Sequence, residues 1–430
     1  MRVLVVGSGG REHAIVWKLS ASEKVSEIFA APGNGGTARE GKARNIPIDP
    51  SDIEGLLKFS KENGVDLTVV GPEKPLADGI VDRFEREGQT IFGPVAAAAR
   101  IEASKLFAKE ILEAADIPTA EYKRFSDIAK AMEYLSQSAL PIVLKADGLA
   151  GGKGVAVART LGEARKAAED ILVKKLFGDC ELLIEEFLTG DEVSLLALTD
   201  GESVLPLPSA QDHKAVFDGD AGANTGGMGA YSPADTLKEE EYRALADIVI
   251  TPVIKEFAKR GIRYKGVLYA GLMTKREADG GLNIKVLEYN CRFGDPETQA
   301  ILARLETDIT DIFLGVVHNR LKDVSVRWKD GASICVIMAS GGYPGAFKKG
   351  YPITGLDIAE LDGVKVIHSG TLLDGDILKT DSGRVLSVTA AAENLDNAIS
   401  KAYAAVKKIN FNSLHYRTDI GKRIRGKVIL

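Results

Sequence analysis

Cysteine is scarce, long apolar runs are missing, and there is no surplus of positive charge. The three cysteines, Cys180, Cys291 and Cys335, lie far apart with no CxxC pair. That spacing excludes a disulfide framework and a structural zinc site and fits a reducing compartment. No apolar stretch approaches the roughly 18 residues of a membrane helix, and "MRVLVV" reads as a strand with no signal-peptide pattern. A cytoplasmic protein with no membrane partner is therefore expected. With 55 basic against 61 acidic residues the net charge is −6, which argues against nucleic acid as a partner. Any phosphate it binds must be met by local charge. Biased tracts and internal repeats are absent as well.

Glycine, by contrast, is plentiful. Its 45 occurrences exceed the average of roughly 7% and cluster in loops, where backbone can approach a ligand closely. A chain of 430 residues allows two to four domains of roughly 100–200 residues. Residues 1–103 alternate short apolar runs with helical patterns, a βαβα rhythm that predicts an N-terminal doubly wound parallel sheet. Residues 104–320 mix strands, helices and glycine-rich loops, with a subdomain at about 119–190. Residues 326–430 turn to strands, turns and one helix, "NLDNAISKAYAAVKKI", and read as a separate α+β domain.

Four stretches carry chemistry. In "VLVVGSGGREHA" a strand runs through Gly7, Gly9 and Gly10 into a helix, so free N–H groups and a positive dipole end favour an anion. Glu12 stands where a dinucleotide fingerprint needs its third glycine, and no acid closes the next strand. Arg11 adds a cation, so a small phosphorylated ligand fits better than NAD; a tight turn with no ligand fits as well. "IVLKADGLAGGKGVAVA" is not a Walker A loop, because no Ser or Thr follows Lys153 and a strand, not a helix, comes next. A hairpin holding Gly151, Gly152, Lys153 and Gly154 still suits phosphates, with Lys145 ending the strand before it. "EEFLTGDE" offers extended backbone for a purine and Glu192 for ribose hydroxyls, although Glu185 and Glu186 also suit plain surface charges. In "LEYNCRFGDPETQ" a period of two puts Glu288, Asn290 and Arg292 on one face. Glu288 and Asn290 supply hard oxygens for Mg²⁺, and Arg292 would reach a phosphate. A buried hydrogen-bond network is the competing reading, disfavoured by its cost.

These stretches, with "SAQDHKAVFDGDAGANTGGMGAYSPA", "GGYPG" and the closing "YRTDIGKR", resemble the glycinamide ribonucleotide synthetase (phosphoribosylamine–glycine ligase) family of ATP-grasp enzymes nearly end to end. The E-x-N-x-R strand marks the wider ATP-grasp group; "CRFGDPETQ" with "NTGGMGAYSP" is more specific. The resemblance implies a central ATP-grasp fold with a glycine-rich lid. It also implies ATP-dependent joining of glycine to 5-phosphoribosylamine, with Mg²⁺ or Mn²⁺, in a monomer or homodimer. By the same resemblance Lys105 and Lys145 bind phosphate, Glu288 and Asn290 bind metal, and Glu185, Glu186, Leu188 and Glu192 form the adenosine pocket. The strand before Glu288, "VLYAGLM", lacks the further acidic ligand common in ATP-grasp enzymes, which leaves the metal count open. Substrate contacts would come from Gly9, Gly10, Arg11, Glu12, Asp212, His213, Lys214, Asn224, Thr225, Gly226, Asp295 and Glu297. Arg292, Lys145, Asp212 and Asp295 would serve the chemistry.

Some assignments have rivals in the sequence. His213 suits a general base and a hydrogen-bonding partner equally. Asp295 and Glu297 suit orientation of an amine, and Asp295 also matches a helix N-cap ahead of Pro296. A dinucleotide oxidoreductase and a non-catalytic nucleotide-sensing module are the alternatives of other classes. No G-x-S-x-G elbow and no Cys–His constellation point to a covalent nucleophile.

Overall fold

Val3, Leu4, Val5 and Val6 are all fully shielded from solvent, although successive residues of a strand face opposite ways. Both faces of their strand, Arg2–Gly7, are therefore covered. Leu4 and Val6 join one core with Phe29 and Ala31, and Val3 and Val5 join another with Ile28, Leu67 and Val69. The strand pairs in parallel with Glu27–Pro32 on one side and Leu67–Val70 on the other. Ala43–Asn45 and Ile91–Phe92 complete a parallel sheet at its edges. Winding reverses between the strands ending at Gly7 and Val70, and such a switch point opens a crevice at the carboxyl ends of the strands. The computed structural model describes residues 1–151, 154–360 and 363–422.

The central region holds two antiparallel sheets. One joins Val204–Pro206, Asp191–Thr199, Gly266–Arg276 and Leu282–Asn290. The other joins Tyr122–Phe125, Leu182–Glu186, Ile142–Ala146 and Val155–Ala158. Helices Ile128–Gln137 and Leu161–Leu172 cover the second sheet, burying Ala131, Leu135, Ala164 and Ala168 against Ile142 and Ile184. That small core is its own, as expected of a lid subdomain. The glycine-rich hairpin joins the strands Ile142–Ala146 and Val155–Ala158 as the sequence suggests; Gly152 and Lys153 lie outside the described residues.

The C-terminal sheet departs from the sequence-based domain picture. Its strands Ala332–Ser340, Arg384–Ala392 and Val364–His368 are extended by Gly229–Ser232 and Gln211–Asp212. The segment around 211–232 was expected within the central domain. Its strand Gly229–Ser232 pairs with Ser333–Val336 and is buried at all four residues, covered on both faces.

The N- and C-terminal domains meet at two buried histidines. His13 Nδ1 accepts the backbone N–H of His368 at 2.7 Å, which leaves Nε2 to donate to Glu40 Oε1 at 3.2 Å. Burial lowers the His13 pKa below its ordinary 6.5 despite the opposing pull of Glu40. Burial, with His13 and Arg39 adding like charge, lowers His368 well below the same value. Both rings are thus neutral in the folded state and protonate more readily when unfolded. Their contribution is present above about 6.5 and is lost as pH falls below it, at no more than about 1.4 kcal/mol per pH unit for each ring. Urea unfolding between pH 7.5 and 5 should show this slope, and the His13→Gln/His368→Gln double variant should show a flatter one.

Candidate active site

Glu288 is the third residue from the end of the strand Leu282–Asn290 and is open to solvent. Among the described residues no cation lies close enough to form an ion pair with it. Its surroundings are nonetheless strongly positive. The bulk of protein around it raises its pKa, but Lys214, Lys145, Lys105 and Arg292 together hold it below the ordinary carboxylate range. These cations come from separate elements. Lys105 opens the helix Lys105–Ala114, Lys145 lies on Ile142–Ala146, Lys214 follows Gln211–Asp212, and Arg292 lies just beyond Asn290.

Each cation except Lys105 is tied to a carboxylate behind it. Lys145 Nζ lies 2.7 Å from Glu185 Oε2, whose other oxygen is 3.2 Å from Lys109 Nζ. Lys214 Nζ lies 2.7 Å from Asp212 Oδ2 and 3.8 Å from Glu192 Oε1. Arg292 Nη2 lies 2.9 Å from Glu102 Oε1, and its Nε is 3.5 Å from Glu73 Oε2. Burial works against the guanidinium's charge, but Glu102 and Glu73 outweigh it and raise its pKa. Lys105 Nζ donates to the Gly148 carbonyl at 3.0 Å and has no carboxylate in ion-pair reach among the described residues. Burial lowers its pKa. A polyanion would satisfy it. The hairpin that would cover that polyanion is tethered at its base, where Asp147 Oδ1 accepts from Ser104 Oγ and Leu106 N–H, each at 3.1 Å.

Several expectations need correction. Arg292 is not on the strand, which ends at Asn290; the chain bends there, and the guanidinium turns back to donate to Asn290 Oδ1 at 3.1 Å. Glu185 is not a surface charge. It is 3% exposed and bridges two lysines, while Glu186 pairs with Lys285 and accepts the Glu121 N–H at 2.9 Å. Leu188 lies in the linker after Leu182–Glu186. Glu192, assigned by resemblance to the adenosine pocket, lies within ion-pair reach of Lys214. Asp295 does not cap a helix: Glu297–Ala303 starts two residues later with Pro296 as its N-cap. The Asp295 carboxylate instead accepts from Gln299 Nε2 at 2.8 Å and pairs with Arg384 Nη2 at 3.3 Å. Burial raises its pKa, but Arg384 and Arg11 hold it below the usual range.

The N-terminal turn also differs from a free anion nest. Gly9 N–H donates to Glu12 Oε2 at 2.6 Å, and Arg11 Nε lies 2.6 Å from Glu12 Oε1 while its Nη1 donates to the Phe293 carbonyl at 3.0 Å. The glycines make room for this carboxylate. A Cβ on Gly7 would lie 2.5 Å from Glu12 Cγ, and one on Gly71 would lie 2.0 Å from Glu12 Oε1. The switch-point crevice is therefore floored by Glu12, which already takes the Gly9 N–H that a dinucleotide pyrophosphate would use. Gly10 abuts Gln299 and Ser369.

The polar loop does assemble around Asp212 and Lys214. Glu297 accepts from Tyr269 Oη at 2.6 Å and from Ser194 Oγ at 3.1 Å, and burial with nearby Asp212 raises its pKa. Thr225 Oγ1 donates to the Lys214 carbonyl at 2.8 Å and accepts the Gly227 N–H at 2.9 Å. Asn224 is exposed at the end of the hairpin strand Ala221–Asn224. His213 is 1% exposed, with its ring 6.1 Å from that of Tyr231. Gly151 sits at the exposed turn of the hairpin, and Gly154 is buried at its far end.

Lys109, Glu73, Glu102, Tyr269 and Arg384 escaped the sequence reading. Lys109 had a signal, since it follows Lys105 by four residues on one helix face. The others come from remote segments that only folding brings near. As for a metal, no cluster of three or more His, Cys, Asp or Glu among the described residues is placed to hold one. Glu288 and Asn290 still fit an ion that keeps waters and phosphate oxygens in most of its coordination sphere.

Comparison with known proteins bears on this arrangement. The sequence matches models described as phosphoribosylglycinamide synthetase N domain over residues 1–102, ATP-grasp (A) domain over 103–298 and C domain over 333–423. A phosphoribosylamine–glycine ligase of Vibrio parahaemolyticus is 49% identical over 426 residues, covering 98% of each chain. The enzyme of that name from Escherichia coli K12 is 47% identical over 426 residues with the same coverage. The solved phosphoribosylamine–glycine ligase of Thermotoga maritima has a TM-score of 0.84 at 32% identity, covering 98% of this chain and 100% of its own. The biotin carboxylase domain of Hydrogenobacter thermophilus 2-oxoglutarate carboxylase, solved with MgADP, ADP and bicarbonate, shares the fold at a TM-score of 0.71 and 17% identity, covering 96% and 91%.

The tie between Glu102 and Arg292 can be measured. Removing one partner of a largely buried pair costs about 3–5 kcal/mol. Glu102→Ala should lower stability by that order in urea unfolding. Glu102→Gln, which retains an acceptor for the Cys291 N–H, should lose less.

Proposed function

The chain belongs to the phosphoribosylglycinamide synthetase family, and we infer from its site an ATP-dependent ligase that joins glycine to 5-phosphoribosylamine. The products are glycinamide ribonucleotide, ADP and phosphate, a step of de novo purine synthesis. The observation that carries this reading is Glu288 ringed by Lys105, Lys145, Lys214 and Arg292 with no ion-pair partner among the described residues. Four cations around one carboxylate suit a polyanion accompanied by a cation, which is what ATP with a divalent metal supplies.

Glycine's carboxylate attacks the γ-phosphorus in line, giving glycyl phosphate and ADP. The ribosylamine nitrogen then attacks the glycyl carbonyl carbon, phosphate leaves, and the nitrogen gives up a proton. Phosphoryl transfer of this kind asks mainly for positioning and charge neutralisation. Lys105 and Lys145 neutralise the triphosphate, and Arg292, braced by Glu102, faces the acyl phosphate. Glu288 and Asn290 would hold Mg²⁺, or Mn²⁺, which neutralises phosphate charge when bound. Extended backbone after Glu186, through Leu188, receives the adenine, and Glu192 stands between ribose and Lys214. Asp212, Lys214, Thr225 and Gly226 line the glycine side, with Asn224 at the loop's exposed edge.

The ribosylamine lies toward the N-terminal crevice, between Gly9, Gly10 and Asp295. Because Glu12 already occupies the Gly9 N–H and Arg11, this crevice suits an amine and hydroxyls facing carboxylates better than a phosphate. Asp295, held ionised, accepts from the amine. Glu297, locked by Tyr269 and Ser194, positions the loop. The hairpin through Gly151, Gly152, Lys153 and Gly154 closes over the phosphates and keeps water from the acyl phosphate. No helix among the described residues is long and apolar enough to cross a membrane, and we place the enzyme in the cytoplasm as a monomer or homodimer.

Glu288→Gln and Arg292→Ala should each cut glycine-dependent ADP formation by roughly 100–1,000-fold while far-UV circular dichroism stays unchanged. Near-normal turnover in either variant would overturn the site. Lys105→Met should raise the KM for ATP more than that for glycine, measured in the same assay.

A further inference from the structure

Arg384 opens the strand Arg384–Ala392 of the C-terminal sheet, yet its guanidinium is spent on the other domains' loops. Nη1 donates to the carbonyls of Gly226 at 2.8 Å, Asp295 at 2.8 Å and Gly227 at 3.4 Å. Nη2 lies 3.3 Å from Asp295 Oδ2. One side chain thus joins two loops that lie about 70 residues apart in the chain, a task that needs the planar, multi-donor fork of arginine.

Both loops border the reacting groups. Gly227, at φ +110°, leaves so little space that a Cβ would lie 2.5 Å from Pro296 Cδ and 3.5 Å from Asp212 Oδ2. Thr225, two residues earlier, fixes the carbonyl of Lys214. Gly226 is held from the same side by a second residue of the C-terminal domain, its N–H donating to Tyr343 Oη at 3.2 Å. A Cβ on Gly226 would meet the Arg384 guanidinium at 3.2 Å.

We propose that Arg384 is a positioning residue for the ligation, setting the Asp295 carboxylate and the 225–227 loop in the one arrangement that receives the amine. A carboxylate offers about four acceptor positions. Gln299 takes one at Asp295 and Arg384 another. The remaining positions leave room for a substrate N–H, and Asp295 Oδ2 lies on the side of Gly9, 3.5 Å from where a Cβ there would stand. Without Arg384 the carboxylate keeps only Gln299 of these two partners, and the Asp295 and Gly226 carbonyls lose their shared donor. Arg384 touches no reacting atom in this scheme. The inference rests on the ligase reading above, since Asp295 has a task there only if an amine is a substrate.

The test compares wild type, Arg384→Ala and Arg384→Lys as full-length proteins in an ADP-release assay, with glycine, phosphoribosylamine and ATP varied in turn. Arg384→Ala should lose roughly 100-fold in kcat, the scale of a small misplacement at the reacting centre. It should also raise the KM for phosphoribosylamine several-fold and leave the KM for ATP within twofold. Added guanidinium ion should restore part of the rate, while sodium chloride at equal ionic strength should not, because only a planar donor fills the gap. Arg384→Lys should fall between, one ammonium being unable to serve all three carbonyls. A kcat and amine KM within threefold of wild type would overturn the proposal. So would a loss that guanidinium fails to restore and that follows a fall in thermal midpoint, the mark of a purely structural residue. If Arg384→Ala does not fold, Arg384→Lys decides by the same KM split and rescue. A wild type without glycine-dependent ADP release sinks the ligase reading and this inference together, whereas an active wild type with a normal variant sinks only the inference.

Discussion

Four cations cannot be kept near one exposed carboxylate unless something else pins them. In this protein three of the four are pinned from behind. Glu185 holds Lys145, Asp212 holds Lys214, and Glu102 with Glu73 holds Arg292. Each pair is at least partly withdrawn from water, where attraction between opposite charges is stronger than at the surface. All four cations still act on Glu288, holding its pKa down. Lys105 lacks such a brace among the described residues, and its lowered pKa reflects the strain of holding a desolvated charge. The cleft is therefore preorganised toward negative charge but incomplete without it, and the energetic deficit is concentrated where a triphosphate would lie.

The front layer of this arrangement was legible in the sequence, and the back layer was not. Period two put Glu288 and Asn290 side by side, and the glycine hairpin declared itself by composition. The carboxylates behind gave no sign. Glu102 sits in a helix as an unremarked acid, Glu73 follows the strand Leu67–Val70 with no motif, and Arg384 is 92 residues beyond Arg292. What identifies them is contact across domains, which no local spacing encodes. The same blindness left Glu185 open to a surface-charge reading, whereas its carboxylate is buried between Lys109 and Lys145. At Asp295 the local pattern of a capped helix was present, and a distant arginine won the side chain instead.

The glycine-rich turn carries a similar lesson about motifs. Strand, glycines and helix form as expected, and the dipole end does attract an anion, but the anion is the protein's own. Glu12 lies in the helix it helps to start, accepts the Gly9 N–H and neutralises Arg11. Gly7 and Gly71 are required because the Glu12 side chain fills the space next to them. A pattern usually read as phosphate binding thus builds a carboxylate floor at the switch point, beside Asp295. Together they give the crevice acceptors rather than donors.

The capture of the 211–232 segment by the C-terminal sheet explains why that domain belongs to the catalytic unit at all. Strands Gln211–Asp212 and Gly229–Ser232 are built into it, so the loop between them is closed by its own strand pair and tied to C-terminal backbone through Gly229–Ser232. Further ties lie along its length. His415 approaches the Val216 carbonyl at 2.8 Å, and buried Arg417 reaches Asp220 at 2.8 Å and the Ala215 carbonyl at 3.1 Å. The closing "YRTDIGKR" is thereby explained in part: Tyr403 Oη donates to the Arg417 carbonyl, and Asp419 accepts both from Arg417 and from the Gly219 N–H. A loop rich in glycine has high conformational entropy to lose. Closure at its base and ties along the middle reduce that cost before substrate arrives, leaving the binding energy of glycine and the amine for the reaction instead of for ordering the loop.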